Sequence, residues 1–224
     1  MSEPIRKPEQ TNPEGYGPKT PVIAGMMGTM PIDNTVNGEE VPYLFKKEII
    51  RLPKSLLVGK KVTYPIAKQG VKEEDGGNPH LSKLWDACGR DGTHEWCKAQ
   101  KDTLLLDGFL GLYYDINAND DGNFSYLVGS LMKADTAVPE GFAAHELPES
   151  EVALCWFKYG ADEDVWAVGP HGVTDRYVAE QGCEGLPTEQ GGWCSEFYPF
   201  GEFPNGDGYN ILGYLIACRK KESE

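Results

Sequence analysis

The chain has 224 residues, 40% hydrophobic and 25% charged, which suits one globular domain of ordinary size or one domain with an extension. Its 35 Asp and Glu outnumber 21 Lys and Arg, and a formal net charge of −14 repels phosphate backbones and argues against direct nucleic-acid binding. No apolar run approaches the ~20 residues of a membrane span, and residues 1–10 are charged with no apolar segment, so no membrane anchor or signal peptide is expected; the protein reads as cytoplasmic, with its six cysteines reduced.

Residues 1–40 carry Pro4, Pro8, Pro13, Pro18, Pro21 and Pro31 among scattered glycines and read as an extended or partly ordered arm. Within it, 22–30 is apolar enough to pack on the domain or on a partner. The folded unit is expected over 41–224. Residues 43–52 and 56–64 are strand-compatible, and the Gly- and acid-rich stretch 70–78 reads as a loop. Pro79 opens a helical pattern with Leu81, Leu84, Trp85 and Cys88 on one face. Strands follow at 109–115 and 124–132 around the turn signal at 117–123. Residues 142–147 and 151–158 are strand-like around Pro148. Asp162 suits a helix N-cap for a stretch running to Gln181, and Gly169-Pro170 predicts a kink or two short helices there. Strands at 193–200 and 209–218, joined through 204–208, close the chain. The order strand, helix, hairpin occurs twice. It predicts an α+β fold of two βαββ repeats, SHS2-like, forming an antiparallel sheet with helices on one side and a ligand cleft between the repeats.

The chain has 5 Trp, 11 Tyr and 8 Phe, concentrated where strands are expected. Aromatics suit sheets and cores, but rings grouped around one carboxylate attract cations and bury flat ligands. Glu196 is the candidate carboxylate. Alternation along the strand puts Trp193, Ser195 and Phe197 on one face and Cys194, Glu196, Tyr198 and Phe200 on the other. A buried acid among Cys, Tyr and Phe needs a partner or titrates high, and suits a cationic ligand or acid–base chemistry. The alternative is an edge-strand acid facing water.

Several segments resemble the GyrI-like, or AraC-type, effector-binding domain. They are Leu84-Trp85, the strand from Gly111 to Asp115, the Gly-x-x-x-Tyr-x-x-Gly strand from Gly122 to Gly129, the Pro-x-Gly-Phe turn at Pro139 to Phe142, and Trp193-Cys-Ser-Glu-Phe-Tyr198. With the closing strand at Leu212 to Ile216, the resemblance covers about residues 43–219, with stand-alone members such as integron-cassette effector-binding proteins the nearest comparison. Three features depart from that pattern: the long arm, the Gly169-Pro170 break, and Phe109-Leu before Gly111. The resemblance implies recognition of hydrophobic, often cationic compounds by rings around a central Glu, which corresponds to Glu196. It implies pocket rings at Tyr114, Tyr126 and Trp193; strand position adds Trp156 and Tyr198.

The reading is a stand-alone binding protein for small hydrophobic, aromatic or cationic molecules, acting in sensing or sequestration. The alternative is a hydrolase of cyclopropane-bearing or similar electrophiles, in which Glu196 activates water or protonates a leaving group, helped by Tyr114 or Tyr198. A lower alternative is a protein-binding gyrase modulator. No cofactor is expected. His80, His94, His145 and His171 lack metal-ligand spacing, so no metal is expected either. The partner is a small molecule; a homodimer or a partner protein stays open.

Overall fold

The computed structural model of the chain describes residues 33–116, 122–160, 162–200 and 209–221. The apolar stretch at 22–30, most of the turn at 117–123 and the turn at 204–208 lie outside them. The described residues form an α+β fold with a large antiparallel sheet and three α-helices. No helix among them is long and apolar enough to cross a membrane.

The order begins before residue 41. Strands β1 (Thr35–Val36) and β2 (Glu39–Glu40) form a small hairpin with Val36 buried. The main sheet is built from β3 (Leu44–Leu52), β4 (Ser55–Pro65), β5 (Gly108–Tyr114), β6 (Asn123–Lys133), β7 (Ala143–Leu147), β8 (Ser150–Gly160), β10 (Cys194–Pro199) and β11 (Tyr209–Lys220). The short β9 (Cys183–Gly185) adds to β11. In space the order is β3-β8-β11-β10-β5-β6-β4-β7.

The two ends of that order meet. Leu52 of β3 pairs with Ser150 of β8, and three residues further along one strand and three back along the other, Ser55 of β4 pairs with Leu147 of β7. The ladder therefore runs in unbroken register through two corners, at Pro53-Lys54 and Pro148-Glu149, where proline cannot donate to it. The sheet curls closed, and its inner face becomes one apolar core in which Leu57, Leu110, Leu127, Leu154, Trp156, Phe197 and Leu215 are all buried.

The helices pack on the outer face. Pro79 precedes helix α1 (Ser82–Arg90), whose Leu84, Trp85 and Cys88 lie against Phe124, Tyr126 and Val128 of β6. A second short helix, α2 (Thr93–Ala99), was not expected from the sequence. Asp91 starts it by accepting hydrogen bonds from the Thr93 amide (3.0 Å) and hydroxyl (2.6 Å). The predicted break at Gly169-Pro170 is present: a 3₁₀ turn at Val165–Val168 ends at Gly169, whose φ of +65° favours glycine, and α3 (Pro170–Glu180) begins with the proline in its first turn. The cap is Asp164, which accepts from the Trp166 amide at 3.0 Å; Asp162 lies too far from the helical turn to serve.

Lys47 of β3 ties the early hairpin to α3. Its ammonium donates to Glu180 (2.9 Å) and to the Thr35 carbonyl (2.5 Å) and lies 3.5 Å from Asp33. Lys47→Met is expected to lower stability by about 1 kcal/mol in urea unfolding and to raise amide exchange over the hairpin first. Unchanged exchange there would show that the hairpin is held by its other contacts, the buried Val36 and Val41 and the Asn37 amide on Glu180.

Candidate functional site

Strand alternation places Glu196 and Tyr198 of β10 on the helix-bearing face, with Ser195 and Phe197 buried in the closed core. Glu196 stands opposite Gly111 of β5 and Tyr214 of β11. Two pairs along, and so on the same face, Tyr113 of β5 stands between Cys194 of β10 and Tyr126 of β6. Tyr126 therefore starts two strands from Glu196, and Gly111 lets it cross. A Cβ at that glycine would lie 2.1 Å from the Tyr126 hydroxyl oxygen and 3.0 Å from the Trp85 ring.

Through that gap the Tyr126 hydroxyl donates to Glu196 Oε1 at 2.6 Å. The Tyr198 hydroxyl donates to Oε2 at 2.5 Å. The Trp85 indole N–H donates in turn to the Tyr126 oxygen at 3.0 Å, which polarises the phenol toward the carboxylate. The rings brace one another: Trp85 meets Tyr198 edge-on at 4.9 Å, and Tyr113 meets Tyr126 at 4.7 Å.

No Lys, Arg or His among the described residues forms an ion pair with Glu196. Burial holds its carboxyl above the ordinary carboxylate range, and the two donated hydrogen bonds only partly offset that rise. The phenols of Tyr126 and Tyr198 are pushed far up, by burial first and then by the Glu196 charge, so both stay protonated donors. Tyr113 and Tyr159 are pushed up to about 12 by the same two causes. A cavity of about 650 Å³ opens above the carboxylate, walled by Trp85, Tyr113, Phe124, Tyr126 and Tyr198, with Trp166 at its rim. Trp166 is 48% exposed, an unusual cost for so large a ring. Tyr126→Phe and Tyr198→Phe each remove a donor to the ionised form. Each is expected to raise the Glu196 pKa further, read by carbon NMR of the labelled carboxyl; a pKa that falls would contradict this geometry.

Of the residues singled out in the sequence, the structure brings together Glu196, Tyr126 and Tyr198. The other three lie elsewhere. Trp156 is fully buried and donates its indole N–H to Glu48 at 3.0 Å, and it belongs with Phe197 in the closed core. Tyr114 points to the face opposite Tyr113 and lies 4.0 Å from the His145 ring, so it is not at hand to assist Glu196. Trp193 alternates with Cys194 and is buried with that same core. Tyr114 and Trp193 line a separate cavity of about 340 Å³. Tyr113, Phe124 and Trp166 were not singled out for the pocket, and Trp85 was seen as a helix-face residue and as part of the Leu84-Trp85 motif, but not as a pocket ring. Tyr113 was legible: a hairpin centred on 117–123 pairs it with Tyr126. Among the described residues, no cluster of three or more His, Cys, Asp or Glu could hold a metal ion.

No protein-family model and no curated protein matches the chain. Solved structures do resemble it in fold. SAV2435 bound to tetraphenylphosphonium is 18% identical at a TM-score of 0.51, over 78% of this chain and 94% of that one. An integron cassette protein from the mobile metagenome of Vibrio cholerae is 13% identical at 0.47, over 79% and 98%. The C-terminal domain of EcmrR is 12% identical at 0.46, over 79% and 98%. At these identities the likeness to SAV2435 is one of fold alone.

Proposed function

We propose that the protein binds small hydrophobic organic cations, with Glu196 as the counter-charge and Trp85, Tyr113, Tyr126 and Tyr198 as the stacking surface. The observation that carries the reading is a carboxylate set among rings beneath an open cavity, held by two phenols and by no cation of the described protein. Such a group is costly to keep ionised. A ligand cation removes that cost and gains ring contacts as it enters. That the fold neighbour SAV2435 is seen with tetraphenylphosphonium supports the choice of ligand class. The rings gather around Glu196, the cavity's one acidic group, while the exposed Lys68 and Lys72 lie along the same cavity; a ring surface of this kind suits several ligands of similar shape, so the same site serves multidrug binding.

The strand order also supports a two-repeat reading. A β4-β6-β5 unit carrying α1 and α2 meets a β8-β11-β10 unit carrying α3 at the β5–β10 seam, and Glu196 sits at that seam. Titration calorimetry with tetraphenylphosphonium at pH 8 tests the function. One-to-one binding that weakens in Trp85→Leu supports it, and absence of binding removes it.

A further inference from the structure

The cavity at Glu196 has a neighbour. A second chamber of about 630 Å³ lies on the far side of Trp85 and Tyr198, and both chambers also touch Ser82 and Trp166. The edge-on contact of Trp85 and Tyr198 is thus a partition, with the half-exposed Trp166 at the rim of both sides. Glu196 lines only the first chamber.

The second chamber has different chemistry. Its wall includes Phe109, on which the His94 ring stacks at 4.0 Å, and Lys98, whose ammonium lies 5.6 Å from the centre of that same Phe109 ring. His94 Nε2 is buried and has no hydrogen-bond partner. Lys98 forms no ion pair with any carboxylate among the described residues. Asp86 also lines this chamber, exposed and not paired with Lys98. The rest of the wall is apolar or aromatic, including Tyr159 and Phe200.

We propose that the two chambers form one cleft for an elongated zwitterion, with the buried Glu196 at one end and Lys98 and His94 at the other; the exposed Lys68 and Lys72 of the first chamber and Asp86 of the second lie along the same walls. The zwitterion's cation sits over Glu196, its apolar body crosses the Trp85–Tyr198 partition under Trp166, and an acidic group at its far end reaches Lys98 and His94. This deepens the cation-binding reading and rests on it for the first chamber. The second chamber adds a preference about the tail, which a simple cation site does not have. The buried, unmatched His94 Nε2 and the exposed Lys98 beside it favour a ligand that pairs them over one that does not.

The probes are triphenylphosphonium cations bearing an ω-carboxyalkyl chain of three to seven methylenes, each compared with its methyl ester and with an ω-ammonium analogue. All share the cationic head. At one chain length the carboxylate is expected to bind about threefold more tightly than its ester, the range of a partly exposed charge pair. Lys98→Met should erase that difference, and Lys98→Glu should invert it. Lys98 is exposed, so these variants keep the fold. Equal binding of acid and ester at every length, or preference for the ammonium tail through Asp86, would overturn the zwitterion assignment while leaving the cation site standing. Failure of every phosphonium to bind would instead remove the first reading.

Discussion

Gly111→Ala is expected to destabilise the protein by about 3 kcal/mol and to break the hydrogen bonds of Glu196 in the same step. The added methyl would stand 2.1 Å from the Tyr126 hydroxyl oxygen and 2.9 Å from the ring carbon that bears it. Neither distance is tolerable, so the phenol must swing away from β5. Overpacking of this kind costs about 1–3 kcal/mol. The swing also strips Glu196 of one donor and Trp85 of its acceptor, and hydrogen bonds to a charged group are worth about 1.5–3 kcal/mol. The two costs overlap, because moving the ring relieves the clash. Urea unfolding of Gly111→Ala, Tyr126→Phe and the double variant separates them. Phe has no hydroxyl for the methyl to strike, so the double variant should be at least ~1 kcal/mol more stable than the sum of the single losses. Strict additivity would mean that the glycine serves the backbone of β5 and not the crossing phenol.

Glu196→Gln is expected to change two properties in opposite directions with pH. Burial raises the carboxyl above its ordinary range, so the folded protein holds that proton more tightly than the unfolded chain does. The corresponding stabilisation is complete below the unfolded pKa of about 4.3 and is lost as pH rises through the higher folded value. Glutamine stays neutral throughout. Relative to wild type, the variant should therefore gain stability as pH rises above about 4, seen as a growing advantage in Tm. Cation binding follows the opposite course, because it requires the ionised carboxylate. At pH 8 the substitution should weaken tetraphenylphosphonium about thirtyfold, or ~2 kcal/mol, as expected when one partner of a desolvated charge pair is removed. The loss should shrink toward pH 4, where wild-type Glu196 is itself protonated. A Tm advantage that falls with rising pH would contradict the burial of this group.

Much of the sheet was legible because period-2 alternation and turn residues are local. The strands, the α1 face and the break at Gly169-Pro170 all follow from neighbours in sequence. The faces of β10 were legible for the same reason, which is why Glu196 and Tyr198 emerge together. What one strand cannot reveal is which face of another strand it shares. Trp156 is borne on β8 and Trp193 stands just before β10 rather than within it, yet both turn toward the core. Tyr113 and Tyr114 are adjacent and equally aromatic, and only the register with Tyr126 decides between them. The closure itself depends on Leu52–Ser150 and Ser55–Leu147, pairs about a hundred residues apart, for which no local pattern exists. Helix α2 escaped notice because seven residues are too few to show a helical period, and its start depends on the Asp91 side chain. Trp166 stands on a 3₁₀ turn, and its place at the rim follows from how that turn docks.

Tetraphenylphosphonium and tetraphenylborate share size and shape and differ in the sign of their charge. Titrated separately into the wild-type protein at pH 8, the phosphonium is expected to bind at least about thirtyfold more tightly than the borate. Equal affinities, or tighter binding of the borate, would mean that the rings alone select the ligand and that the carboxylate at position 196 plays no part in recognition.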